Sequence, residues 1–141
     1  MLKCKVYSFE TLDVWKEARK FAVKVYKLTK KLPTDERYGL VSQMRRSGIS
    51  ISTNIAEGSS RESLKDQARF SEISFGSLLE LLNHSILCYD LEFISESELF
   101  DLRIDVDSIG FKLDGLRKSQ LKRFKENRKP KSSKKSSSNK L

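Results

Sequence analysis

The residues of this chain best suited to acid–base or metal chemistry are a single histidine, His84, and a scatter of carboxylates. A histidine can shuttle protons near neutral pH. To drive acyl transfer it also needs a serine or cysteine nucleophile and an orienting carboxylate, and no motif places either beside His84. Glu57, Glu62, Asp66 and Glu72 could line a site inside a helical bundle, but the Glu-x-x-His motif of di-iron bundles is absent, since Glu80 precedes His84 by four positions. Gly39, Gly48, Gly58, Gly76, Gly110 and Gly115 are all isolated, so no glycine-rich phosphate loop is present. Cys4 and Cys88 lie far apart without C-x-x-C spacing, which indicates neither a zinc site nor a disulfide framework and suits a reducing compartment. We therefore expect no enzyme, no metal and no cofactor, with His84 serving as a core or interface residue.

Cations, by contrast, are ordered. Lys16, Lys20, Lys24, Lys27 and Lys31 fall at i, i+4, i+8, i+11 and i+15, which places all five on one side of a helix. Arg45 and Arg46 extend the group. Three uses fit such a stripe: a solvated helix face, a track for backbone phosphates whose counterions are released on binding, or a match for carboxylates on a neighbouring subunit. Charge is also sorted along the chain. Met1 to Arg46 holds 12 Lys/Arg against 5 Asp/Glu, Ser47 to Arg117 holds 6 against 13, and Lys118 to Leu141 holds 10 against 1. The formal excess of +9 thus sits in the C-terminal stretch, where Lys129, Lys131, Lys134 and Lys135 are further candidates for a polyanion.

The elements that position these residues read as helices. Only Pro33 and Pro130 interrupt the chain, each where apolar periodicity stops. Trp15, Ala18, Ala22, Val25, Thr29 and Leu32 form the expected buried seam of a first helix. A second segment from about Tyr38 to Gly58 has Leu40, Met44, Ile51 and Ile55 near one face, although Ile49–Ser52 alternates like a strand. Ser59 and Glu62 have capping-box spacing, so a third helix is expected near Ser60. Its face is read as Phe75, Leu78, Leu79, Leu82, Ile86 and Tyr89, with Leu81, Leu87 and Leu91 elsewhere. Ser95 and Glu98 form another capping box, followed by the seam Leu99, Leu102, Val106, Ile109, Leu113 and Leu116. Four such helices pack most simply as an all-α, antiparallel, up-down-up-down bundle over residues 1–126, and the Lys/Ser-rich stretch 127–141 has nothing to bury and is expected to be disordered.

Phe100, Ile104 and Phe111 fall almost opposite the seam of the fourth helix. An aligned apolar row there predicts a subunit interface and a homo-oligomer. The N-terminal residues lack the apolar run of a signal peptide, and no segment is long and apolar enough to span a bilayer. A cytoplasmic protein without membrane contact is expected.

Tyr7–Lys16, Glu36–Leu40, Gln43–Ser47, the run Asn54-Ile55-Ala56-Glu57-Gly58, and Gly76–Leu81 together resemble the bacterial four-helix bundle family encoded in intervening sequences of 23S ribosomal RNA genes. That family is related to the accessory variability determinant of diversity-generating retroelements. The resemblance covers roughly Tyr7 to Leu116. It implies a four-helix bundle, a homopentamer around a central channel, and helix across Ile49–Ile55. In the retroelement branch it also implies nucleic-acid binding and a reverse-transcriptase partner. The body of this chain is not uniformly basic, which departs from that branch. Asn54 to Gly58 has ready structural uses in helix termination and local hydrogen bonding. Two functions remain in view: an oligomeric bundle binding RNA or DNA through backbone phosphates, or a protein–protein scaffold with no nucleic-acid role.

Overall fold

The computed structural model describes residues 3–129. Four helices make up the body: α1 (Asp13–Thr29), α2 (Leu40–Ser59), α3 (Leu64–Asp90) and α4 (Glu96–Asn127), with 3-10 turns at Ser8–Thr11 and Thr34–Glu36. Among the described residues there is no strand, and the alternating Ile49–Ser52 stretch is helical. Consecutive helices run antiparallel and α4 closes back on α1. Direction is fixed by cross-helix bonds: Arg45 meets Thr29, Ser74 meets the Ile51 carbonyl, and Arg117 meets Glu72.

The core contains Ala18, Phe21, Val25, Met44, Ile51, Leu78, Leu81, Leu102, Ile109 and Leu113, all nearly inaccessible to solvent. In α4 the expected seam holds, with Leu99, Leu102, Val106, Ile109 and Leu113 buried and Leu116 partly so. It runs farther than expected. Gln120, one turn beyond Leu116, is buried and its Oε1 accepts the Ser71 hydroxyl at 2.8 Å. The helix continues to Asn127.

Two other faces differ from their sequence reading. In α1 the buried row is Val14, Ala18, Phe21, Val25 and Thr29, so Trp15 and Ala22 sit at its flank. In α3 the expected face is split: Leu78 is buried and Leu82 and Ile86 pack against the core, but Phe75, Leu79 and Tyr89 do not. Ser71, Ser74, Ser77 and Ser85 are buried with Leu78, Leu81 and Cys88, while Phe75, Leu79, Leu87, Tyr89 and Leu91 are exposed. The reason is the α2–α3 contact, which is close enough to exclude large side chains. Ser74 Oγ donates to the Ile51 carbonyl at 3.0 Å, and the Ser50 and Ser77 hydroxyls lie 2.8 Å apart. Each buried serine hydroxyl in α3 has a partner, which removes the cost of burying it.

Helix boundaries follow local chemistry. The Ser95–Glu98 capping box forms as expected, with Ser95 Oγ accepting the Glu98 amide at 3.1 Å and Glu98 Oε1 accepting the Ser95 amide at 2.9 Å. Such a cap contributes about 0.5–2 kcal/mol. The Ser59–Glu62 box does not form. Ser59 Oγ instead donates to the Ala56 carbonyl at the end of α2, and Ser63 caps α3 by accepting the Asp66 amide. Between α3 and α4 the chain turns through Glu92 at φ 65. The Phe93 amide bonds the Cys88 carbonyl and the Glu92 amide bonds that of Tyr89, a Schellman closure with glutamate where glycine is usual.

Candidate nucleic-acid interface

The lysine row on α1 splits into two sets. Lys24 and Lys31 lie on the flank facing α4. Lys24 donates to Asp105 at 2.6 Å and also pairs with Asp101, and Lys31 pairs with Glu98. Lys112 of α4 answers Glu17 of α1 at 2.7 Å. Partial burial works against the Lys24 charge, yet its hydrogen bonds to Asp101 and Asp105 outweigh this and raise its pKa. The Lys31 ammonium, helped by the Ser95 amide, holds the Glu98 carboxyl below the usual range. Carboxylates of the same chain thus take up two of the five lysines. Lys16, Lys20 and Lys27 face outward, exposed and without an ion pair among the described residues.

Arg45 and Arg46 both make contacts within the subunit. The Arg45 guanidinium lies over the Tyr26 ring at 4.5 Å, and its Nε donates to Thr29 Oγ1 at 2.9 Å. Arg46 reaches Glu80 and Gln43, each at 2.7 Å. Of the C-terminal candidates, Lys129 is exposed just past α4, whereas Lys131, Lys134 and Lys135 lie outside the described residues.

The structure adds a second row. Because α4 stays helical to Asn127, Lys118, Lys122 and Lys125 follow i, i+4 and i+7 spacing on it, and together with Lys129 just past its end they line an open groove with Leu121 and Glu126. From 118 to 129 there are six Lys/Arg and one carboxylate, Glu126. Lys118 pairs with Asp114 one turn earlier at 2.8 Å. The spacing that singles out α1 also reveals this row, once the seam is carried past Leu116.

The two rows share one end of the bundle. The Glu17–Lys112 pair sets the start of α1 beside the middle of α4, so residues 118–129 extend beyond it at the end where α1 begins. There the N-terminal segment and α1 border a groove of about 670 Å³, lined by Val6, Trp15, Arg19 and Val23 together with Lys16, Lys20 and Glu10.

On α4 itself, Phe100, Ile104 and Phe111 are exposed, Phe111 by 82%, and their spacing puts them on the same face of the helix as Lys118, Lys122 and Lys125. Phe75 and Leu79 of α3 continue the apolar surface, and a groove lies between Phe75, Leu79 and Phe111. Hydropathy alone puts both α3 residues in the core.

Burial pushes the Cys88 thiol up to about 11, with the Glu36 carboxylate adding to the effect, and Cys88 packs against Met44 Sδ at 3.5 Å. His84 is half-buried and its Nδ1 has no hydrogen-bond partner among the described residues. No group of three His, Cys, Asp or Glu among the described residues could hold a metal ion. No described helix is long and apolar enough to cross a membrane. The Asn54–Gly58 run has structural work: Asn54 Nδ2 donates to the Ser50 carbonyl at 2.8 Å, and Gly58 admits Phe70 of α3.

Residues 10–115 match the family model of the 23S rRNA-intervening sequence protein. The chain belongs to this family. Its fold is similar to the crystal structure of a protein of unknown function from the S23 ribosomal protein family of Bacteroides thetaiotaomicron. That similarity has a TM-score of 0.70 and 25% identity, covering 74% of this chain and 95% of the other. Comparison with curated proteins finds no match. The part shared with the family model stops at 115, so the basic end of α4 lies outside it.

Proposed function

We propose that this family member is a non-enzymatic, self-associating cytoplasmic bundle that binds RNA through backbone phosphates. The observation that carries this reading is the lysine row Lys118, Lys122 and Lys125 on α4, continued by Lys129 just past its end, with Glu126 the one carboxylate among them. Like charges in a row repel one another, and a polyanion relieves that repulsion while releasing its own counterions. Lys16, Lys20 and Lys27 add cations that no described carboxylate neutralises. The family's name ties it to ribosomal RNA genes, which favours RNA over DNA as the polyanion. Contacts of this kind position a nucleic acid with little base readout.

Self-association rests on the exposed row Phe100, Ile104 and Phe111, continued by Phe75 and Leu79. The same apolar surface supports the second reading, a scaffold that binds another protein without nucleic acid. A salt titration of the full chain against labelled single-stranded RNA separates the two. Binding that weakens steeply with salt supports the first reading. Absence of binding to RNA and DNA at low salt overturns it and leaves the scaffold.

A further inference from the structure

We propose that the groove between the N-terminal segment and α1 stacks an unpaired nucleobase against the Arg19 guanidinium, so that the RNA bound is single-stranded. This rests on the nucleic-acid reading above and adds a base-recognition site to it. Trp15, the single tryptophan of the chain, forms the inner wall. Phe9 meets the indole edge-to-face at a centroid distance of 5.0 Å, holding the ring in one orientation. Arg19 lies over the indole at 5.4 Å and forms no ion pair among the described residues. Its planar cation is thus supported from beneath and open above, a surface on which a base can stack.

The surroundings suit a nucleotide better than a purely apolar ligand. Val6 and Val23 are 66% and 52% exposed at the rim and offer apolar contact to a base edge or ribose. Lys16 and Lys20, one helical turn apart, supply ammonium groups for the flanking phosphates. The one carboxylate, Glu10, is engaged: its Oε2 accepts the Tyr7 amide at 2.7 Å. A groove of about 670 Å³ falls within the usual size range of small-ligand sites. Bases in a duplex are already stacked and paired, so only an unpaired base can enter.

Trp15 makes the site report on itself. Full-length protein is titrated at low salt with a uridine oligomer, with an RNA duplex of equal length and with inorganic polyphosphate, while anisotropy of labelled strands reads binding independently. The expected result is quenching of Trp15 by the oligomer, with little from duplex or polyphosphate even where these bind. In Arg19→Lys, which keeps the charge and loses the plane, single-strand affinity should fall about fivefold to a hundredfold, with duplex affinity and salt slope unchanged. Binding without quenching, equal quenching by the duplex, or wild-type behaviour of Arg19→Lys would overturn the stacking site and leave phosphate binding intact. Absence of all binding overturns both.

Discussion

Gly58 of α2 and Phe70 of α3 approach so closely that a β-carbon on the glycine would stand 2.7 Å from that of the phenylalanine. Gly58→Ala should therefore lower stability, because relief requires the helix backbones to shift. Overpacking of this kind costs about 1–3 kcal/mol, more than the helix propensity gained. Gly76, on the open face of α3, has nothing within 4 Å of such a carbon, and Gly76→Ala should stabilise by about 0.5–1 kcal/mol. Urea denaturation of the two variants checks the contrast, and equal effects would contradict this packing.

Glu92 holds a left-handed conformation at φ 65 that costs a residue with a β-carbon about 1 kcal/mol. Glu92→Gly should raise the melting temperature. A fall in melting temperature would mean that the carboxylate makes a compensating contact.

The α1–α4 ion pairs predict an acid limb in the stability curve. Glu98 is lowered by Lys31. Partial burial pushes Glu17 up, but hydrogen bonds from Lys112 and Ser108 outweigh it and leave its pKa lowered as well. The stabilisation from such groups is complete above the unfolded carboxylate pKa of about 4.3 and is lost as pH falls through their lower folded values. Melting followed from pH 7 to pH 2 should show this loss, and Glu17→Gln combined with Glu98→Gln should flatten it. Lys24 has the opposite sign. Its raised pKa gives stabilisation that is full below about pH 10 and lost above its folded value.

Phe111 is so exposed that Phe111→Glu should alter the stability of an isolated subunit by no more than about 0.5 kcal/mol. In the proposed assembly it would bury an unpaired carboxylate, at a cost of several kcal/mol. Sedimentation should therefore show dissociation with helicity retained, and an unchanged oligomer would remove Phe111 from the interface.

Truncation after Lys129 should preserve cooperative melting, since Gln120 is the last buried residue among those described. RNA binding should persist in the truncated chain, carried by the rows on α4 and α1. Lys122→Glu with Lys125→Glu should then reduce the log–log salt slope by about 0.7–0.9 for each phosphate left without its lysine. Lys20→Glu with Lys27→Glu should do likewise, and an unchanged slope would exclude the row concerned.

How far the sequence discloses this molecule depends on what each helix packs against. α4 is legible because its seam of Leu, Val and Ile faces a core that accepts large side chains. α3 is not, because its tightest neighbour admits serine and leaves Phe75 and Leu79 outside, so hydropathy points to the wrong face. The lysine row of α1 is visible as a row. Its division into paired and free members depends on Glu98, Asp101 and Asp105, whose nearness no local pattern encodes. The Trp15–Arg19 stack is hidden for a similar reason, since apolar spacing assigns Trp15 to the buried seam.

Lys24 finds Asp105 across 81 residues of chain, and the α1–α4 pairing is the least extensive of the four helix contacts. The first helix made is thus sealed by the last. During synthesis α1 can dock on α2, and α2 on α3, while the flank of α1 that carries Lys24 and Lys31 waits for α4 to emerge. Closure of that edge joins residues 81 apart in sequence, a separation that carries a larger chain-entropy cost than the contacts between neighbouring helices. Before α4 emerges all five lysines of α1 lack these carboxylate partners, whereas in the folded subunit two of the five are paired.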